Sequence, residues 1–251
     1  ASQPASRAGQ ARQRAQPAQH LTTTPRQRIV IQRAIAACEA TGAYDLAERL
    51  KEQEVYDVVQ TCAVDGMCLT ACPVKINTGD LIRAKRRETQ NETLDKGWKV
   101  AAEHWDMVLR GASLGMTTTH ALPTTPLRGA LGLARKALSE DIVPTLTSEL
   151  PGGGKVRKPQ TVPNPDAIFM PACVGTMFGT EHACGTGVGG AVRELAAYAG
   201  LRLSTPAGVQ ELCCGTPWKS KGLAKGYEVM KDKLTSWIVQ HTHHGRIPLV
   251  C

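Results

Sequence analysis

The residues of this chain best suited to chemistry are its nine cysteines, and seven of them fall into two groups. Cys62-Ala-Val-Asp65-Gly-Met-Cys68-Leu-Thr-Ala-Cys72-Pro73 brings three thiols and a carboxylate into one short run. Further along stand Cys173, the adjacent pair Cys213-Cys214 followed by Gly215, and Cys251. Thiolates select soft metals and iron–sulfur clusters, and their spacing decides which. In the bacterial ferredoxin run C-x2-C-x2-C-x3-C-P, the first three cysteines hold one cluster and the last, before proline, reaches a neighbouring one. Cys62, Cys68 and Cys72-Pro73 keep that spacing, with Asp65 at the second position. On this pattern Cys62, Asp65 and Cys68 serve one cluster and Cys72 another.

Asp65 has two readings. As a ligand it is harder and weaker than a thiolate, so the iron at that corner would be labile and the cluster either 4Fe-4S or 3Fe-4S. As a turn residue it would bond backbone N–H groups and leave ligation to others. Cys72 needs three further cysteines, and upstream only Cys38 exists, outside any motif. In the second group, adjacent cysteines suit a cluster spread over several irons better than a single tetrahedral ion. A vicinal disulfide between Cys213 and Cys214 would be strained. His241-Thr-His243-His244 with Cys251 could form a zinc site, although such a run more commonly caps a solvated helix end. Cys38 and Cys184 read as packed or spare thiols. No catalytic acid or base can be assigned, and Trp218, Lys219 and Ser220 read as lining near the second group.

The elements that must position these residues are mostly helical in the first part of the chain. Thr24 followed by Pro25 opens a helix whose apolar residues Ile29, Ile31, Ala34, Ile35 and Cys38 recur at helical spacing. A second amphipathic helix is expected from Tyr44 to about Gln60, burying Leu46, Leu50, Val55, Val58 and Val59. A basic helix follows Asn77-Thr78-Gly79, and others are expected at Trp98–Arg110 and Pro126–Leu138. Residues 151–165 have the composition of a linker. Beyond them short strands at Ala167–Met170, Arg202–Pro206 and Ile247–Val250 alternate with helices at Val188–Tyr198 and Tyr227–His241, the pattern of an α/β unit. The expected fold is therefore mixed: a basic disordered leader over 1–20, a helical ferredoxin-type domain over 21–150, the linker, and an α/β cysteine-rich domain over 166–251.

Charge excludes less than it first suggests. Thirty Lys and Arg against 22 Asp and Glu give +8. Arg7, Arg12, Arg14, Arg26, Arg28 and Arg33 all lie before the first acid, Glu39, so the basicity is concentrated at the start of the chain. It is not a patterned nucleic-acid surface. The acid-free, Arg-rich leader also fits a transit peptide, and cluster thiolates need a reducing compartment, so the expected location is cytoplasmic or mitochondrial. No apolar run approaches the ~18 residues of a membrane span, which leaves peripheral membrane association open.

Taken together, Leu21-Thr-Thr-Thr-Pro-Arg-Gln-Arg-Ile29, Thr61–Gly79, Pro171-Ala-Cys-Val-Gly-Thr-Met-Phe-Gly179 and Cys213-Cys-Gly-Thr-Pro-Trp-Lys-Ser-Lys-Gly222 resemble the C-terminal iron–sulfur half of FAD-linked D-lactate dehydrogenases. These belong to the FAD-linked oxidase family. The second cysteine group resembles the CCG domain of heterodisulfide-reductase-type proteins. The resemblance implies an electron relay: a flavin domain or subunit oxidises a 2-hydroxy acid, and clusters pass the electrons to a quinone or cytochrome. It implies an α-helical ferredoxin fold, with cluster ligands Cys62, Cys68, Cys72, Cys173, Cys213, Cys214 and Cys251, and FAD on an upstream domain missing from these residues. It also leads to the expectation that the chain begins after one cluster motif and ends inside another. Alternatives are an iron–sulfur subunit of a glycolate or glycerol-3-phosphate dehydrogenase or of a heterodisulfide reductase, and a zinc-stabilised interaction module without enzymatic activity.

Overall fold

The computed structural model describes residues 23–121, 129, 133, 151–180 and 185–251. The expected leader, the helix at Pro126–Leu138 apart from residues 129 and 133, and Cys184 lie outside them. The chain is mostly helical with one small parallel sheet, in agreement with a mixed fold. It divides into two compact units: residues up to Leu94 with Pro217–Ala224, and Asp95–Thr216 with Lys225–Cys251.

In the first unit, helix α1 spans Pro25–Ala40. Thr24 caps it by accepting a hydrogen bond from the Gln27 N–H, and Pro25 occupies its first turn, as the sequence implies. Helix α2, Tyr44–Glu54, runs directly into a π-helical stretch over Val55–Gln60. The wider turn shifts the apolar phase. Val58 is fully buried while Leu46 and Val55 are exposed, which corrects the buried set expected from one continuous α-helix. Val58, Cys62 and Ile82 form the core here, with Ile31, Val59 and Val64 packed against it. The short α3, Met67–Ala71, leads to Cys72, and α4, Thr78–Glu88, is capped by Asn77, whose side chain accepts from the Gly79 N–H.

Helices α5, Glu92–Glu103, and α6, Trp105–Ala121, follow. In the second unit the strands β1 (Ala167–Phe169), β2 (Leu203–Ser204) and β3 (Leu249–Val250) form a parallel sheet in the order β2-β1-β3. Ala167 pairs with Leu203 on one side, and Phe169 pairs with Val250 on the other. All three residues of β1 are buried, as expected for a central parallel strand. Between strands run α7 (Val174–Met177), α8 (Gly187–Tyr198), α9 (Thr216–Lys221, of which all but Thr216 belongs to the first unit) and α10 (Ala224–His241). Ile168, Met170, Val209, Leu212 and Trp237 make the core of this unit.

Residues 151–165, although linker-like in composition, pack inside the second unit. A Cβ on Gly153 would stand 1.9 Å from the Ser113 carbonyl oxygen, and one on Gly154 would stand 2.1 Å from that of Gly175. The glycines are there because the backbone passes too close to α6 and α7 for any side chain. The strap is fastened by the Gly154 N–H to the Thr176 carbonyl at 3.0 Å and by the Gly179 N–H to the Gly152 carbonyl at 2.7 Å. It thereby fixes the helix that immediately follows Cys173.

Candidate functional site

Cys62 follows the π-helical stretch, just after Thr61, and is buried in the core of the first unit. Its sulfur accepts a hydrogen bond from Arg28 Nη1 at 3.1 Å, and its carbonyl accepts one from Arg86 Nη2 at 2.7 Å. Arg86 also bonds the carbonyls of Val59 and Ser220, each at 2.6 Å. The loop from Cys62 to Cys68 is bent by two left-handed residues, Gly66 at φ 75° and Val64 at φ 58°. A β-branched residue in that region is strained, and such strain clusters at functional loops.

Cys68 is the most heavily donated sulfur of this unit. The Thr78 hydroxyl donates to it at 3.3 Å. Burial pushes the Cys68 thiol up, but the Thr78 hydroxyl and the backbone N–H groups of Gly79, Thr78 and Leu69 together hold it below its ordinary value. Two of those N–H groups belong to the first turn of α4, where backbone donors lack intrahelical partners and favour an anion. Cys72, half-buried, closes α3 with its N–H on the Cys68 carbonyl at 3.0 Å. Asp65 is exposed, and its Oδ1 accepts the Met67 N–H at 3.0 Å. Of its two readings, the turn cap is therefore formed.

In the second unit Cys173 follows β1, Cys213 and Cys214 follow the 3-10 turn Val209–Glu211, and Cys251 follows β3. Cys173 and Cys213 share a hydrogen bond with their sulfurs 3.4 Å apart, and Cys214 stands beside the Thr216 hydroxyl at 3.2 Å. Cys213 is buried, and hydrogen bonds to Cys173 and Cys214, then burial, push its thiol far up. The same bonds stabilise the neighbouring thiolates. Cys214 is lowered to about 5, first by Cys213 and then, against burial, by Thr216. Cys173 is lowered to about 7 by Cys213 first, then, against burial, by the Arg157 guanidinium and the Trp105 indole N–H.

Arg157 pins the two cysteine loops. Its Nη1 donates to the Pro171 carbonyl at 3.0 Å, and its Nη2 to those of Gln210 at 3.1 Å and Leu212 at 2.7 Å. Gly215, at φ 84°, turns the chain directly after Cys214, and a Cβ there would press on the Tyr227 ring at 3.1 Å. Cys251 is exposed and stands outside the hydrogen-bonded group of Cys173, Cys213 and Cys214. β3 nevertheless ends beside β1, so Cys173 and Cys251 both follow the carboxyl edge of the sheet. Because β2 and β3 lie on opposite sides of β1, this edge is the topological switch point where α/β sheets bind ligands.

Among the described residues no three His, Cys, Asp or Glu side chains converge on a point that would suit one metal ion. His243 and His244 are exposed at the end of α10. Trp218 and Ser220, expected beside the second cysteine group, belong to the first unit, where the Ser220 carbonyl holds Arg86. Arg28 and Thr78 lie inside stretches that carry the resemblance, but neither they nor Arg86, Arg157 and Trp105 have a site role in the sequence reading. Only their contacts with cysteine residues or loops reveal them. No family model, no curated protein and no solved structure matches the chain.

The chemistry of these surroundings fits a thiolate-bound, negatively charged group. Arg28 and Arg157 are each only 8% exposed, and the Nε of each is buried without a hydrogen-bond partner. A buried guanidinium is costly unless an anion lies beside it, and both stand at cysteines. Backbone, hydroxyl and indole donors are aimed at the sulfurs of Cys68, Cys173 and Cys214, an arrangement of the kind that tunes metal-bound thiolates.

Proposed function

We propose that this chain is the electron-relay portion of an FAD- and iron–sulfur-dependent D-lactate or other 2-hydroxy-acid dehydrogenase. Cys62 and Cys68 would hold a ferredoxin-type cluster, with Cys72 presented toward a second one, and Cys173, Cys213, Cys214 and Cys251 would hold a site in the other unit. Such a cluster supplies a one-electron carrier between a flavin domain and a quinone or cytochrome. The observation that carries the reading is the buried Arg28 guanidinium on the Cys62 sulfur, with its Nε left without a partner, since it calls for more negative charge than the neighbouring residues provide. The cysteine spacing and the resemblance to the iron–sulfur half of FAD-linked D-lactate dehydrogenases supply the class. Asp65 serves this arrangement by shaping the loop between Cys62 and Cys68 through its Oδ1 bond to the Met67 N–H.

The chain's own residues have definable tasks. The first turn of α4 and the Thr78 hydroxyl hold Cys68 as an acceptor. Arg157 and the glycine strap keep Cys173 and Cys213 in register. Anaerobic reconstitution with iron and sulfide tests the proposal: bound iron and acid-labile sulfide, lost separately on Cys62→Ala and Cys213→Ala, are expected. Zinc bound without sulfide would instead favour an interaction module.

A further inference from the structure

Arg28 lies within the acid-free, basic start of the chain, yet its side chain is buried against a candidate ligand. Its Nη1 donates to the Cys62 sulfur at 3.1 Å, and its Nε is buried with no partner. A second guanidinium stands close by: burial lowers the Arg86 pKa, the Cys62 sulfur opposes that, and Arg28 adds to it. Glu54, the buried carboxylate of this unit, is already engaged, with Lys85 at 3.5 Å and with the Gln32 side-chain amide. Two cations thus converge on Cys62, one on its sulfur and the other on its carbonyl. An ordinary structural arginine would be satisfied by a carboxylate or by carbonyls, as Arg86 is. Arg28 spends its donor on sulfur.

We propose that Arg28 is a positioning residue that sets the reduction potential of the cluster held through Cys62. The inference rests on the iron–sulfur reading of that cysteine. Reduction adds one electron to the cluster with no bond made or broken, so its net negative charge grows by one. A cation hydrogen-bonded to a ligand sulfur stabilises the more negative state more strongly and raises the potential. Low dielectric around the buried pair strengthens the effect.

The test is an anaerobic redox titration of the reconstituted full chain with dithionite as electron donor, followed by EPR. The signal to be followed is the one that Cys62→Ala abolishes. Arg28→Met is expected to make reduction about tenfold less favourable, a fall of about 59 mV for a one-electron couple. Arg28→Lys, which keeps the charge but loses the planar fork, should fall in the same direction by less. The exposed Arg49→Gln removes the same charge elsewhere and should leave the potential in place. If wild type binds neither iron nor sulfide, the cluster reading and this inference both fail. If the cluster assembles and Arg28→Met titrates with wild type, the role of Arg28 is overturned and the cluster reading survives. Should Arg28→Met fail to load, Arg28→Lys decides: a lowered potential supports the role, and an unchanged one refutes it.

Discussion

Arg157→Met is the sharpest perturbation of the second unit. The guanidinium donates to three main-chain carbonyls, those of Pro171, Gln210 and Leu212, at 2.7–3.1 Å, on both sides of the gap between Cys173 and Cys213. Methionine fills similar space and donates to none of them. Bonds from a charged donor contribute about 1.5–3 kcal/mol each, and the stranded carbonyls lose that stabilisation. Removing the buried cation offsets several kcal/mol of desolvation. A net destabilisation of about 2–4 kcal/mol follows for the metal-free, reduced chain. At about 2–4 °C per kcal/mol for a unit of this size, a loss near 3 kcal/mol lowers the melting temperature by about 6–12 °C. Far-UV circular dichroism reads the melt. Diamide-driven crosslinking of Cys173 to Cys213 reads the geometry, and it should slow because the loops are no longer tied. A variant that melts within about 1 °C of wild type and crosslinks at the wild-type rate would refute the pinning role.

Other outcomes follow from the same contacts. Gly153→Ala forces a methyl into the Ser113 carbonyl and should cost about 1–3 kcal/mol, whereas Gly175→Ala, with open space around its Cβ, should not destabilise; urea midpoints compare the two. Asp65→Ala removes the turn bond to the Met67 N–H and should cost about 0.5–1.5 kcal/mol, while Asp65→Asn, which forms the same turn, should keep both stability and iron loading; iron loss in Asp65→Asn would make the carboxylate a ligand after all. His241 packs edge-on to Trp237 with ring centroids 5.0 Å apart, and burial first, then His243, lower its pKa. The fold therefore favours neutral His241, and its contribution is present above the unfolded value of 6.5 and lost as pH falls through the lower folded value. His241→Gln should flatten that part of the melting-temperature profile, and a profile identical to wild type would remove His241 from the account.

Much of this architecture is legible in the sequence because local rules govern it. Thr24-Pro25 opens α1 and Asn77 opens α4 through side-chain caps, and the buried apolar run at Ala167 becomes the central strand. Phase was harder to read. The π-helical stretch at Val55–Gln60 cannot be inferred from apolar spacing, and it turns Val55 outward while burying Val58. Composition misleads at residues 151–165, where glycine marks close backbone approach and not freedom. It misleads again at Arg28, which counts toward the basic, acid-free start of the sequence but is buried on Cys62. The thiols of the candidate site follow from spacing. Their donors do not, because Thr78, Arg28, Arg157 and Trp105 reach the sulfurs by tertiary contact. Asp65 was open between ligand and cap, and the Met67 N–H shows the cap in place.

The central claim is that both cysteine groups hold iron–sulfur clusters. Its most direct measurement is iron and acid-labile sulfide, quantified per chain after anaerobic reconstitution, with EPR of the dithionite-reduced protein. The account predicts iron and sulfide in comparable amounts and a cluster signal, part of which is lost on Cys62→Ala and a separate part on Cys213→Ala. Zinc alone, or iron without sulfide and without an EPR signal, would contradict it.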